Sequence, residues 1–167
     1  MTGITVDHKR LGGQLPGRET APRRHSGLPT AAPRRPENHR RLASIGFAAD
    51  KSYLSLARMT AMHVAGLLGL PLGRVTDLRL AVDEACALFL TAPAPAAPGE
   101  GPGQLQLRFD QEGGTLRIRV SGPAPVRPPD ADDLGWTMLC ALVGEPRWES
   151  YDGIGTLTLL EPIPTGR

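Results

Sequence analysis

Glu84 is a carboxylate set among small and apolar residues, which makes it the natural place to look for chemistry in this chain. Asp77, Ala81, Glu84 and Leu88 follow one another at spacings of three and four, so they stack on one side of a helix with Glu84 between Ala81 and Leu88. From the residues alone two readings stay open: an ordinary solvated helix charge, or a carboxylate in a built site. Arg58 offers a planar fork of donors suited to carboxylates, either on a partner or within the chain at Asp50 or Asp77. His63 falls between apolar positions of a helix and reads as a helix-face residue. Cys86 and Cys140 both lie on apolar helical stripes, which predicts two reduced core thiols with no disulfide or metal role.

The elements that must position these groups follow from periodicity. Val75, Leu78, Val82, Ala85, Cys86 and Phe89 form one apolar stripe, predicting a central helix over 75–90 that opens near Gly73 and Thr76. Before it, Ala43 to Ala49 reads as a short strand. A helix capped by Asp50 or Ser52 follows, with Leu54, Ala57, Ala61, Val64, Ala65 and Leu68 inward and Gly69 and Pro71 at its end. Thr91 to Gly103 is rich in Ala, Pro and Gly and reads as a flexible connector. Leu105, Leu107 and Phe109, then Leu116, Ile118 and Val120, alternate with polar residues, predicting strands 104–110 and 115–121 joined through Gln-Glu-Gly-Gly. After an irregular proline-rich stretch over 122–132, a helix over 134–143 carries Leu134, Met138, Leu139 and Leu142. A closing hairpin pairs 147–151 with 156–160 across Asp152-Gly153. The order β-α-α-β-β-α-β-β predicts an α+β fold: a two-layer α/β sandwich whose mostly antiparallel sheet carries its helices on one face.

Composition bounds the function. The 167 residues suit one domain and a tail, with 20 glycines and 17 prolines implying long irregular stretches. Aromatics make up only 4%, so Leu, Val and Ala must fill the core. No apolar run nears the ~20 residues that span a bilayer, and the charged N-terminus lacks a signal-peptide apolar region, so a cytoplasmic protein is expected. Residues 1–41 hold nine Lys/Arg and three Asp/Glu (+6), whereas 42–167 hold ten and fourteen (−4), together the overall +2. The first segment, with Arg-Arg pairs at 23–24, 34–35 and 40–41, reads as a disordered basic tail ahead of a domain over 42–163. Such a tail could touch nucleic acid by charge alone, but it has no aromatic or fold motif for the purpose, so no direct nucleic-acid or membrane contact is expected.

Leu78-Arg79-Leu80-Ala81-Val82-Asp83-Glu84-Ala85 resembles the Glu-Ala-x-x-Asn helix of bacterial anti-sigma regulatory factors and serine kinases built on the GHKL (Bergerat-type, histidine kinase-like) ATPase fold; the actinobacterial anti-sigma-F type is the closest likeness. The likeness covers roughly 43–162. In that family the Glu is a general base and the Asn a magnesium ligand. The resemblance therefore makes Glu84 a vestigial base, while Leu88 stands where the Asn would be and has no oxygen for a hard cation. The family binds ATP between the central helix, an Asp-x-Gly-x-Gly loop after the third strand, and a Gly-rich segment opening the last helix. Here the loop reads Val120-Ser121-Gly122-Pro123-Ala124, without the adenine-reading Asp and with prolines that remove amide donors. Asp133-Leu134-Gly135-Trp136 keeps one glycine, and Gly155-Thr156 matches a terminal Gly-Thr whose Thr holds adenine.

What the resemblance implies is a degenerate ATP pocket from Glu84, Leu88, Gly122, Asp133, Gly135 and Thr156, so that no cofactor is expected beyond weak ATP and magnesium. It also implies partner contacts through the first helix, where Arg58 takes the position of a family Arg that meets both sigma factor and antagonist and Leu54 that of an acidic residue. The function implied is an anti-sigma protein that sequesters an RNA polymerase sigma factor and is countered by a STAS-type antagonist, a pseudokinase and, by family analogy, a homodimer. The alternatives are an active ATP-dependent serine kinase acting on that antagonist, with Asp83 as substitute metal ligand, and a nucleic-acid-associated module working through the basic tail.

Overall fold

The computed structural model describes residues 39–91, 103–125 and 127–164. Residues 1–38 of the expected tail over 1–41, and 92–102 of the expected connector over 91–103, lie outside the described residues. Strand β1 (His39–Ala48) begins four residues before Ala43, so His39, Arg40 and Arg41 belong to the sheet; a register shift between Arg41 and Ala43 marks a bulge. A 3-10 turn over Lys51–Tyr53 follows, held by Asp50, whose carboxylate accepts from the Ser52 amide and hydroxyl at 2.7 Å each. It leads into α1 (Leu54–Leu67) and, after a short break, α2 (Leu72–Thr91). Then come β2 (Gln104–Glu112), β3 (Thr115–Pro123), α3 (Leu134–Val143), β4 (Arg147–Tyr151) and β5 (Ile154–Pro162).

The five strands run in the order β1-β2-β3-β5-β4, every pair antiparallel. The α+β expectation holds, with an antiparallel sheet throughout and all three helices on one face. Strand alternation decides what faces those helices. Leu105, Leu107 and Phe109 on β2, Leu116, Ile118 and Val120 on β3, and Leu157 and Leu159 on β5 are all buried. They meet Ala57, Ala61, Val64 and Ala65 of α1 and Leu78, Ala81, Val82, Ala85, Cys86 and Phe89 of α2. The small residues on α1 and α2 let the two helices lie close, so leucine and alanine fill a core that has few aromatics. At the β4–β5 turn, Asp152 (φ 49°) and Gly153 (φ 74°) supply the two left-handed conformations that a tight hairpin turn needs.

One expectation about the core is corrected, that for Cys140, and two apolar residues of α3 also fall outside the core. Leu134 and Met138 lie outside it: Leu134 opens α3 at 77% exposure, and only Leu139 of that helix is fully buried. Cys140 is likewise exposed, because a ten-residue helix resting on the edge of α2 turns one narrow stripe inward. Cys86 is a core thiol as expected, and burial pushes its pKa up to about 12. Among the described residues one polar node joins α2, α3 and β5. Arg74 of α2 donates from Nε (2.8 Å) and Nη2 to the carboxylate of Glu161 on β5, and from Nη1 to Asp77 (2.9 Å) and to the Leu142 carbonyl of α3 (3.1 Å). Glu161, 3% exposed, occupies the helix-facing row of β5 and needs that guanidinium to be buried ionised.

Candidate functional site

One turn after another of α2 presents Glu84, Ala87, Leu88 and Thr91 to the same side, the helical spacing of three and four. Opposite them stand Pro125, Arg127 and Pro129 from the loop after β3, and Asp133, Leu134 and Gly135 where α3 begins. A cleft of about 300 Å³ lies between. Gly135 sets its width. A Cβ at that position would lie 3.3 Å from Leu88 Cδ2 and 3.4 Å from Glu84 Oε2, so the start of α3 stands close against this face of α2 and a larger side chain there would narrow the cleft. Asp133 shapes the loop: its Oδ2 accepts from the Asp130 amide at 2.9 Å, and its Oδ1 stands 3.7 Å from Arg127 Nη2. That last pair is largely solvent-exposed and contributes little to stability. The Thr91 hydroxyl donates back to the Ala87 carbonyl at 2.9 Å, closing the polar end of the α2 wall.

The structure thus brings together Glu84, Leu88, Asp133 and Gly135, and it separates Gly122 and Thr156 from them. Gly122 sits within the sheet opposite Gly155, where a Cβ would lie 3.0 Å from the Gln104 carbonyl oxygen and against the Leu105 side chain. Its role is close packing of β3 on β2. Thr156 lies on the sheet face away from the helices, in a concavity with Arg147 and Glu149. Gly155 takes the helix side instead, and the Trp148 ring covers it, packed on Phe89 with ring centroids 5.3 Å apart. An aromatic pair therefore fills the inner face of the Gly-Thr position. Sequence reasoning missed this pair and Arg127, though Thr91, seven residues on from Glu84, was reachable from helical spacing.

On α1, Leu54 is half-buried against the core. Arg58 Nη1 donates to Asp83 Oδ1 at 2.9 Å, so neither Asp50 nor Asp77 is its partner; they are engaged with Ser52 and Arg74. Asp83 is thereby held on the α1 side of α2 and does not line the cleft. The donor set does not suit a magnesium nucleotide. The cleft offers Glu84 and Asp133 on opposite walls, a hydrocarbon at Leu88, and no cluster of three His, Cys, Asp or Glu occurs among the described residues. Among those residues, no helix is long and apolar enough to cross a membrane.

Comparison with known proteins gives this geometry a context. Residues 47–155 match the model of the histidine kinase-like ATPase domain. No curated protein matches the chain. Among solved structures the chain is similar to that of the RsbU and RsbW domains of Rv1364c from Mycobacterium tuberculosis, with a TM-score of 0.57 and 18% identity over 73% of this chain. At that identity the likeness concerns the fold, and the matched region spans 33% of the larger chain.

Proposed function

This chain belongs to the histidine kinase-like ATPase domain family, and we propose that within it the chain is an anti-sigma regulatory protein. It sequesters an RNA polymerase sigma factor in the cytoplasm, is displaced by a STAS-type antagonist, and works as a homodimer whose cleft no longer serves phosphoryl transfer. One observation carries the partner-binding part. The solvent side of α1 bears Leu56, Met59 and Met62 at three-residue spacing, Met59 at 64% exposure, with Arg58 at its border. An exposed row of long, adaptable apolar side chains beside a guanidinium fits a protein surface that carries apolar and acidic residues. The Arg58–Asp83 pair is only partly buried, so a partner carboxylate could share that fork without leaving Asp83 in an apolar interior.

The non-catalytic part is supported by Leu88, which puts methyl groups beside Glu84 where phosphoryl transfer needs a metal to neutralise developing charge. The test is transcription by RNA polymerase reconstituted with each purified sigma factor of the source organism in turn. The chain should inhibit one of them without ATP, and Met59→Glu should relieve that inhibition about tenfold or more; inhibition of none contradicts the reading. A second reading, an active serine kinase, draws on Glu84 Oε2 standing at the mouth of the α3 N-terminus near Gly135. ATP-dependent transfer of label to the antagonist, abolished by Glu84→Ala, would establish it in place of the first.

A further inference from the structure

The sheet face turned away from the helices carries a row of arginines that the fold itself does not require. In register across four neighbouring strands lie Arg108 (β2), Arg119 (β3), Thr158 (β5) and Arg147 (β4). Arg117 sits one row along, opposite Asp110. At ~4.8 Å between strands, the row from Arg108 to Arg147 is about 14 Å long. Arg108 and Arg119 face each other directly, an arrangement of like charges that weakens a sheet.

The neighbouring acids answer only part of this charge. Asp110, fully buried, takes Arg119 at 2.6 Å, and Glu112 takes Arg117 at 2.8 Å. Burial works against ionising Asp110, yet Arg119, together with Arg41 Nε at 3.5 Å and His39 beside the other carboxylate oxygen, holds the carboxyl below the usual carboxylate range. Arg108 and Arg147 have no ion-pair partner among the described residues. The Nε atoms of Arg108, Arg117 and Arg119 are buried and have no hydrogen-bond acceptor among the described residues. Buried donors left without acceptors cost stability, so an acceptor brought from outside the chain is favoured there. A concavity of about 350 Å³ lies among Arg117, Arg119 and Arg147, with Thr156 and Thr158 adding hydroxyls.

We propose that this open sheet face docks an acidic segment of a protein partner, whose carboxylates engage the free edges of Arg108, Arg119 and Arg147. Carboxylates about 5 Å apart, as on successive turns of an acidic helix laid across the strands, match the strand-to-strand step of the row. The chain's own N-terminal segment cannot serve, since residues 1–41 carry +6. A nucleic-acid backbone fits less well: Glu149 lies one row along, beside Arg147 in the same concavity, and residues 42–167 carry −4. This surface is separate from α1 and stands whether or not the sigma-factor reading holds.

The test uses the full chain with a fluorescein-labelled octaglutamate peptide, followed by anisotropy at about 50 mM salt, where screening is weak. Variants are the double change Arg108→Gln/Arg147→Gln and, as a control for a charge removed off the sheet, Arg79→Gln; urea unfolding verifies that each is folded. The double variant should bind at least tenfold more weakly, with Arg79→Gln close to wild type. Peptide binding unchanged in the double variant would belong to the N-terminal basic segment and would overturn the proposal. So would a labelled oligothymidylate that binds through these arginines more tightly than the peptide, or a dimer that the double change dissociates in sedimentation.

Discussion

Replacing Arg74 by methionine tests the polar node that joins α2, α3 and β5. The change removes the donors that hold Glu161, Asp77 and the Leu142 carbonyl together. The three acceptors do not suffer alike. The Asp77 side chain is 37% accessible and rehydrates at little cost, whereas that of Glu161 is 4% accessible and is left as a buried charge without a partner. Breaking a buried pair from one side typically costs about 3–5 kcal/mol. Arg74 itself is 37% accessible, so water enters where it stood and the lower end of that range applies, about 3 kcal/mol. With a urea slope of ~2 kcal/mol/M, the unfolding midpoint followed by circular dichroism at pH 7 should fall by roughly 1.5 M. The double change Arg74→Met/Glu161→Leu puts an apolar pair in the same space and should recover most of the loss. A single-variant loss below ~1 kcal/mol, or a double variant as unstable as the two single losses added, would refute the argument.

Further predictions follow from individual sites. Asp110 has a folded pKa below its unfolded value of about 3.9, so its stabilisation is complete above about pH 5 and is lost as pH falls through the folded pKa. Asp110→Asn should therefore flatten the acid limb of a stability-versus-pH curve; an unchanged limb would count against the Arg119 pairing. Native protein should take up iodoacetamide at Cys140 and leave Cys86, buried with its thiol at about 12, unreacted until urea opens the core; mass spectrometry of tryptic peptides reads this directly. Gly155→Ala should destabilise by about 1–3 kcal/mol and shift the Trp148 emission, because the added methyl occupies the space of that indole. Intact Trp148 emission with wild-type stability would show that the ring moves aside freely.

The fold was legible wherever one face of an element is buried and the other solvated. Leu105-Gln106-Leu107-Arg108-Phe109 alternates without a break, so the register of β2 and the faces of its residues follow from period two alone. Asp152-Gly153 announced its turn by residue type. Cys140 misled because its place on an apolar helical stripe resembles a core position, while which stripe of α3 turns inward is a tertiary matter. Thr156 misled for a related reason. Strand β5 starts at Ile154, so Gly155 and Thr156 must point to opposite faces, and Trp148 packing on Gly155 decides which faces inward. In the cleft, Glu84 and its neighbour Leu88 were legible from helical spacing, whereas Gly135 was named only through the family resemblance. Arg74 and Glu161 lie 87 residues apart, and no local pattern marks two charges at that separation as partners. The same holds for the arginine row, which exists only once four strands are in register.

The account stands most directly on calorimetric titration of the chain with the sigma factor that it inhibits, run with and without magnesium-ATP. The predicted result is a complex of the same affinity in both, weakened by Met59→Glu and unaffected by Glu84→Ala. A complex that forms only with magnesium-ATP, or one that Met59→Glu leaves intact while Glu84→Ala destroys it, would contradict the reading of α1 as the docking surface and of the cleft as non-catalytic.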